Sequence, residues 1–281
     1  MSNIQERVNT LVTKFVPGYR FLRLQELTID KKNSLQTEIN SKSIKVLSWN
    51  IAKQNYNKVW LKDFSKIIEN YQPNLIFLQE FSLKLEADEW EKWLKMNWSF
   101  APNFVDIHHQ TYSGIFTAAT ISPLSKRVIT TKHHEPIVKT PKISLITEYL
   151  LSEQSTTLLT INSHLINFVN LNKFKIQLKE LELALSVHRG PLIFSGDFNT
   201  WSRKRAVILN EVITQLGLTP VIFAPDHQDK IKRFLLSPPL DHIFYRDITV
   251  KEASAKVLDQ ICSSDHKPLL VEFTCTNTQK K

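Results

Sequence analysis

Glycine is scarce in this sequence, with 5 in 281 residues, and the scarcity removes whole classes of function. Neither a G-x-G-x-x-G turn nor a Walker-type loop occurs, so phosphate held by a glycine-rich backbone is excluded. Cysteine is scarcer still, with only Cys262 and Cys275. Two such residues cannot build a disulfide framework and have no metal-ligand spacing. A reducing, cytoplasmic compartment is therefore the expectation. No stretch approaches the roughly 20 apolar residues that span a bilayer. Residues 1–15 also lack the continuous apolar core of a secretory signal. The lysines are scattered, without the block of like charges that marks a binding tail.

What is present describes a folded chain with a basic surface. Hydrophobic residues make up 42% and charged residues 22%, which suits one large core and argues against disorder. Lysine and arginine total 36 against 27 acids, a net charge of +9. That surplus favours a polyanionic partner: nucleic acid, an anionic membrane face or a phosphorylated small molecule. General solubility is the plain alternative.

Three segments follow from the pattern. Residues 1–43 form an N-terminal arm, with Ile4, Val8, Leu11, Val12 and Phe15 at helical spacing, Pro17-Gly18 as a stop, and a polar linker over 31–43. Residues 44–275 form the main domain, and 276–281 a polar tail. Within the domain, strands are expected at 44–49, 75–78, 113–120, 143–151, 156–163, 192–195, 240–245, 248–257 and 268–273. Helices are expected at 59–71, 85–98, 174–187 and 205–216. Alternation of this kind suits two sheets packed face to face with helices outside.

The polar residues of interest stand at the ends of the apolar strands, where a charge beside the core is costly unless it has a partner. Asn50 ends the first strand, Glu80 the second and His164 a later one. Asp197 and Asn199 end another, two residues apart and on one side if the backbone stays extended. Asp241 opens a strand, and Asp265-His266 precede the last. Singly, each has a structural reading: a helix cap, a satisfied core histidine, an Asx turn. Six strand ends carrying such residues in series are harder to explain that way.

The motifs S-W-N-I (48–51), L-Q-E (78–80), N-S-H-L (162–165), S-G-D-F-N (195–199), L-D-H-I-F (240–244) and S-D-H-K-P (264–268) resemble those of the endonuclease/exonuclease/phosphatase (DNase I-like) family. Within it the chain most resembles a small bacterial, YafD-like branch. The resemblance implies a four-layered α/β/β/α sandwich, two packed mixed β-sheets flanked by helices. It also implies a phosphoesterase using Mg²⁺ or Mn²⁺, with Glu80 as first metal ligand and Asn50 and Asp265 as further ligands or supports. Asp197 would orient or deprotonate the attacking water, and Asn199 would hold water or phosphate in line. His266, oriented by Asp241, would face the phosphate, and His164 would donate to a phosphate oxygen or assist the leaving group. Direct attack by water leaves no need for a nucleophilic Ser or Cys. Ala52 and His164 stand where AP endonucleases carry Asp and Tyr, which favours the histidine-bearing branch over abasic-site repair.

Trp201, Arg203 and Arg205, with Lys204, follow the Asp197-Phe-Asn199 turn and are expected to line the rim, where an indole and guanidinium suit a phosphate backbone with its bases. A phosphoinositide headgroup would suit them equally. Lys230, Lys232 and Arg233 would extend that rim. The expectation is a monomer acting on nucleic-acid phosphodiesters. Phosphoinositide or phospholipid hydrolysis is the alternative, and a non-catalytic binding module with the same fold a further one.

Overall fold

The computed structural model describes residues 21–23, 27–34, 36–84, 89–92, 94–136 and 139–275. The predicted helix at 4–15 and the tail at 276–281 lie outside the described residues. In chain order the strands are β1 (Phe21–Arg23), β2 (Ile29–Lys31), β3 (Ile44–Asn50), β4 (Leu75–Leu83), β5 (Asn97–Asp106), β6 (Thr111–Ala119), β7 (Ser125–Thr130) and β8 (Ile143–Leu150). They continue as β9 (Thr157–His164), β10 (Leu192–Asp197), β11 (Thr219–Pro220), β12 (Asp241–Arg246), β13 (Thr249–Val250), β14 (Lys256–Val257) and β15 (Leu269–Thr274). The helices are α1 (Lys58–Tyr71), α2 (Leu171–Leu185), α3 (Arg203–Gln215) and the short α4 (Pro225–Gln228).

Two mixed sheets result. One runs β1-β5-β6-β4-β3-β15-β13, with β2 on β5 and β14 on β15; the other runs β11-β12-β10-β9-β8-β7. Among the described strands, β3/β4 and β9/β10 pair in parallel and the rest antiparallel. Alternation along the strands separates two kinds of contact. Val46, Phe77, Ile193, Ile243 and Phe273 fill the space between the sheets. Leu47, Trp49 and Leu78 turn outward onto Trp60, Phe64 and Ile67 of α1. Phe194 and Phe198 face Phe174 and Leu178 of α2 and Leu209 and Val212 of α3. The outcome is the expected α/β/β/α sandwich. Each long helix opens on a side-chain cap: Asn57 accepts from Val59 N, Asn170 from Lys173 N and Ser202 from Arg205 N. Such a cap contributes about 1 kcal/mol.

Three local expectations are corrected. Of the helix expected over 85–98, the described residues form a short 3-10 turn at Glu89–Lys92 and a strand from Asn97, so Trp98 belongs to β5. Aromatic contacts override the helical spacing: Trp90 meets Phe81 edge-on, and Trp98 packs on Trp90 and Phe116. The strand expected over 248–257 is two short pieces, both antiparallel to β15. The expected linker is partly docked, since Ile39 is buried in the inter-sheet core and bridges Leu151. No helix among the described residues is long and apolar enough to cross a membrane.

Candidate active site

Strand direction brings the polar strand ends to one edge of the sandwich. In the second sheet Asp197 pairs in register with His164 on one side and Asp241 on the other. In the first sheet Asn50 lies opposite Gln79, beside Glu80, and β15 enters antiparallel with Leu269 opposite Ser48. That entry places Asp265 and His266 beside Asn50, where Ser264 Oγ donates to the Asn50 carbonyl at 2.8 Å. Trp49 Nε1 likewise donates to the His266 carbonyl at 3.0 Å. Gly196 is required for the sheet to close here. It sits at φ 145°, and a Cβ there would stand 1.8 Å from the Ser163 carbonyl oxygen.

Asp197 is the focus of the buried side. Its Oδ2 accepts from Asn50 Nδ2 at 2.9 Å, with His164 Nε2 at 3.6 Å and His266 Nε2 at 4.0 Å. Its Oδ1 accepts the Asn199 N–H at 2.9 Å. Burial pushes the Asp197 carboxyl up; His164 and His266 pull against it, and Asp241 adds to the rise. His266 Nδ1 meets Asp241 Oδ2 at 2.7 Å. Burial alone would lower the His266 imidazole, but the Asp241 charge and hydrogen bond, helped by Asp197 and Asp265, raise it to about 9. His164 goes the other way. Burial, with Lys142 reinforcing it, lowers its value to about 3, so it stands neutral beside Asp197.

Asn199 is reached by a turn instead of a continued strand. Its backbone is left-handed at φ 50°, and its Nδ2 donates to the Leu165 carbonyl at 2.8 Å. The expected extended geometry is therefore replaced by an Asx-type turn. Glu80 does not end its strand either. β4 shifts register between Leu78 and Phe81, and Glu80 sits in this irregularity at φ 52° before the strand resumes. Left-handed backbone in a residue other than glycine is costly and gathers at functional sites.

Two groups of residues compete for a cation. Asp197, Asp241 and His266 each offer a ligating atom within 4.8 Å of the others. Their chemistry favours a proton relay: His266 Nδ1 is engaged by Asp241, and a protonated imidazole has no lone pair for a metal. Glu80 fits better. Its carboxylate is about a third exposed and lies 3.9 Å from the neutral His164 ring. Asn50 Oδ1 accepts only from Ala52 N at 3.0 Å, and Asp265 is exposed, paired with Lys232 at 3.1 Å. Carboxylate and amide oxygens are hard donors of the kind Mg²⁺ or Mn²⁺ prefers.

The rim departs from expectation at one position. Arg203 and Lys204 are exposed and Trp201 partly so, its Nε1 donating to Asn167 Oδ1 at 2.8 Å. Arg205 is fully buried, which corrects its expected place on the rim. Its guanidinium lies 3.8 Å over the Phe174 ring and 5.3 Å from Trp201, and it donates to the Ile166 carbonyl. Burial lowers its value to about 10. Gln79 and Asn162, polar residues of the quoted motifs, tie the site to the core. Gln79 Nε2 donates to Asn162 Oδ1 at 2.7 Å, and Asn162 Nδ2 donates to the Phe116 carbonyl at 2.9 Å. This buried amide pair ties the two sheets directly beneath the site. Their signal was their place within L-Q-E and N-S-H-L, adjacent to the charged residues.

Known proteins share this architecture. The UPF0294 protein of Vibrio campbellii is 38% identical over 234 residues, covering 82% of this chain and 77% of that protein. The human Nocturnin catalytic domain with bound sulfate anion is similar in fold, with a TM-score of 0.63 at 19% identity over 90% of this chain and 98% of that one. The D. rerio TDP2 structure complexed with single strand DNA product gives a TM-score of 0.57 at 18% identity, covering 83% and 99%. Residues 47–266 match the model of the Endonuclease/Exonuclease/phosphatase family. This chain belongs to the endonuclease/exonuclease/phosphatase family.

Proposed function

We propose that the chain is a divalent-metal-dependent phosphoric diester hydrolase that cleaves nucleic acid by direct attack of water. The observation that carries this reading is the convergence of Asn50, His164 and His266 on one oxygen of a buried Asp197. A carboxyl raised by burial is closer to the range of a useful general base than an exposed one. Asn50 fixes its orientation, so Asp197 takes the proton of a water held against it. His266, kept protonated by Asp241, donates from Nε2 to a non-bridging phosphate oxygen where charge builds up. His164, neutral, donates a hydrogen bond and not a full proton. Glu80, with Asn50 and Asp265 in support, would hold the cation. When bound, that ion supplies charge neutralisation at the phosphate and the leaving oxygen. The basic surface and the exposed Arg203 and Lys204 support a polyanionic substrate.

A second reading, hydrolysis of a phospholipid or phosphoinositide, is favoured by one feature. In the segment from Lys232, which pairs with Asp265, to Leu240, the side chains of Leu235 and Leu236 are 94% and 99% exposed. Apolar side chains so presented, next to Lys232 and Arg233, suit a lipid surface. The deciding experiment incubates purified protein and Mg²⁺ with plasmid, single-stranded DNA, RNA and phosphoinositide vesicles. Cleavage of nucleic acid, lost in Asp197→Asn that is still folded by circular dichroism, is the expected result. Turnover confined to vesicles would favour the second reading, and no turnover on any substrate would contradict both.

A further inference from the structure

The chain between α4 and β12 leaves the fold and returns to it through a projecting turn. Ile231 and Leu240 are buried at its two ends, and the Leu240 N–H donates to the Lys232 carbonyl at 2.9 Å, which closes the base. Lys232 Nζ on Asp265 at 3.1 Å and Arg233 on the Gln228 carbonyl at 2.9 Å brace its flank. Beyond these anchors stand Phe234, Leu235 and Leu236, which are 47%, 94% and 99% exposed. Single leucines at a surface are ordinary. Three consecutive apolar residues turned to water count against a fold unless they serve a function.

The backbone makes the same point. Two hydrogen bonds close the turn, from Ser237 N–H to the Phe234 carbonyl and from Phe234 N–H to Ser237 Oγ, both at 2.9 Å. Leu235 inside it is left-handed at φ 51°, where glycine or asparagine is at ease and a leucine is strained. At 94% exposure, packing within the fold does not offset that strain. A residue that breaks a local rule without a structural gain marks a functional position.

Area, side-chain type and charge identify what covers the tip. Three side chains offer on the order of a few hundred Å², far short of the roughly 800 Å² per partner that a stable protein complex buries. Leu235 and Leu236 have no ring face on which bases stack. A bilayer needs only a few apolar side chains below its headgroups, with basic groups beside them. Over residues 229–233 three basic residues stand against one acid, and the chain as a whole carries +9. Lys232 and Arg233 are engaged in the brace, so exposed Lys230 and that wider surplus supply the attraction. We infer that the Phe234–Leu236 turn docks the protein on an anionic lipid bilayer, its three side chains entering the acyl boundary. This goes beyond the hydrolase reading, because it concerns where the chain sits and not which ester it cleaves. Lys232, two residues before Phe234, holds Asp265, so a docked turn brings that edge of the site close to the membrane.

The experiment is co-sedimentation of the full chain with vesicles of equimolar phosphatidylglycerol and phosphatidylcholine, and with phosphatidylcholine alone. EDTA is present throughout, so hydrolysis plays no part. Partitioning onto the anionic vesicles is expected, weakened at least about tenfold in the double variant Leu235→Ser, Leu236→Ser, whose melting temperature should match the wild type. Should that variant fail to fold, Leu236→Ser alone is expected to weaken partitioning at least about threefold. A wild type that sediments with neither vesicle overturns the inference. Partitioning that survives in the folded variant overturns it too, by placing the contact on the general basic surface. Equal partitioning onto phosphatidylcholine alone overturns the anionic requirement. A wild-type dimer that light scattering finds monomeric in the variant assigns the turn to a second copy. Nucleic-acid affinity lost in the variant, without vesicle binding by the wild type, assigns it to nucleic acid. Either of these results overturns the membrane assignment, and none of the outcomes alters the hydrolase reading, which the substrate panel tests separately.

Discussion

The two sides of the site are built to different standards. Asp197, Asp241 and His266 are buried and hydrogen-bonded to one another or to neighbours, and strand register fixes Asp197 opposite Asp241. Glu80 and Asp265 are partly or largely exposed, and Glu80 sits in a register break with left-handed backbone. The buried side is organised without any ligand, as charge stabilisation in a transition state requires. On the proposed mechanism, the exposed side offers oxygen atoms whose geometry a cation would set. On the same proposal, proton handling belongs to the first side and charge neutralisation to the second.

Removing the base tests the buried side most severely. Asp197→Asn keeps the shape but loses the proton acceptor, and its single amide oxygen can accept from only one of Asn50 Nδ2 and Asn199 N. It should lower kcat by about 10²–10⁴-fold, the usual worth of a positioned acid or base, with little change in metal affinity measured by calorimetry. Glu80→Gln should do the reverse. Apparent Mn²⁺ affinity should weaken by more than the roughly 10–100-fold that loss of an outer-shell partner costs, and raised Mn²⁺ should recover part of the rate. If both variants lose rate and metal together, the division between the sides is wrong.

A pH experiment sharpens the same contrast. His266 in the folded state titrates at about 9, above its ordinary 6.5. A raised value means the folded state holds the proton more tightly, so this contribution to stability is complete below about 6.5. It is lost as pH rises through about 9. Thermal melts in EDTA should therefore show a loss across that window that disappears in Asp241→Asn. A wild-type curve flat from pH 6.5 to 10 would mean the imidazole is not held by Asp241. The smallest effects on turnover belong to the arginines. Arg205→Ala should destabilise the fold by about 2–4 kcal/mol, as loss of a large buried side chain does, while the surviving folded protein keeps near-normal turnover. Arg203→Ala should leave stability unchanged and shift KM for a polyanion by threefold or less, reading out as a shallower salt dependence.

Much of this architecture was legible in the chain because apolar strands that end in Asn50, His164 and Asp197 leave few places for those groups except one shared edge. The fold class followed from the alternation of strands and helices and from the family resemblance, and the positions of α1, α2 and α3 from periodicity. What periodicity cannot report is tertiary substitution of one contact for another. Trp90 and Trp98 repeat at helical spacing, yet pack as an aromatic cluster with Phe81 and Phe116. Arg205 looks like a surface arginine until Phe174, from a different helix, supplies a ring to cover it. Register breaks are invisible in the same way, so Asn103 gave no sign of leaving its ladder, and Glu80 seemed to end a strand that in fact continues to Leu83.

Anomalous diffraction from crystals soaked in Mn²⁺ tests the central claim most directly, because it places the cation on one side or the other. The account predicts a peak at about 2.0–2.2 Å from a Glu80 carboxylate oxygen, with the Asp241–His266 hydrogen bond intact. A peak enclosed by Asp197, Asp241 and His266 instead, or no peak at Glu80 at saturating metal, would contradict it.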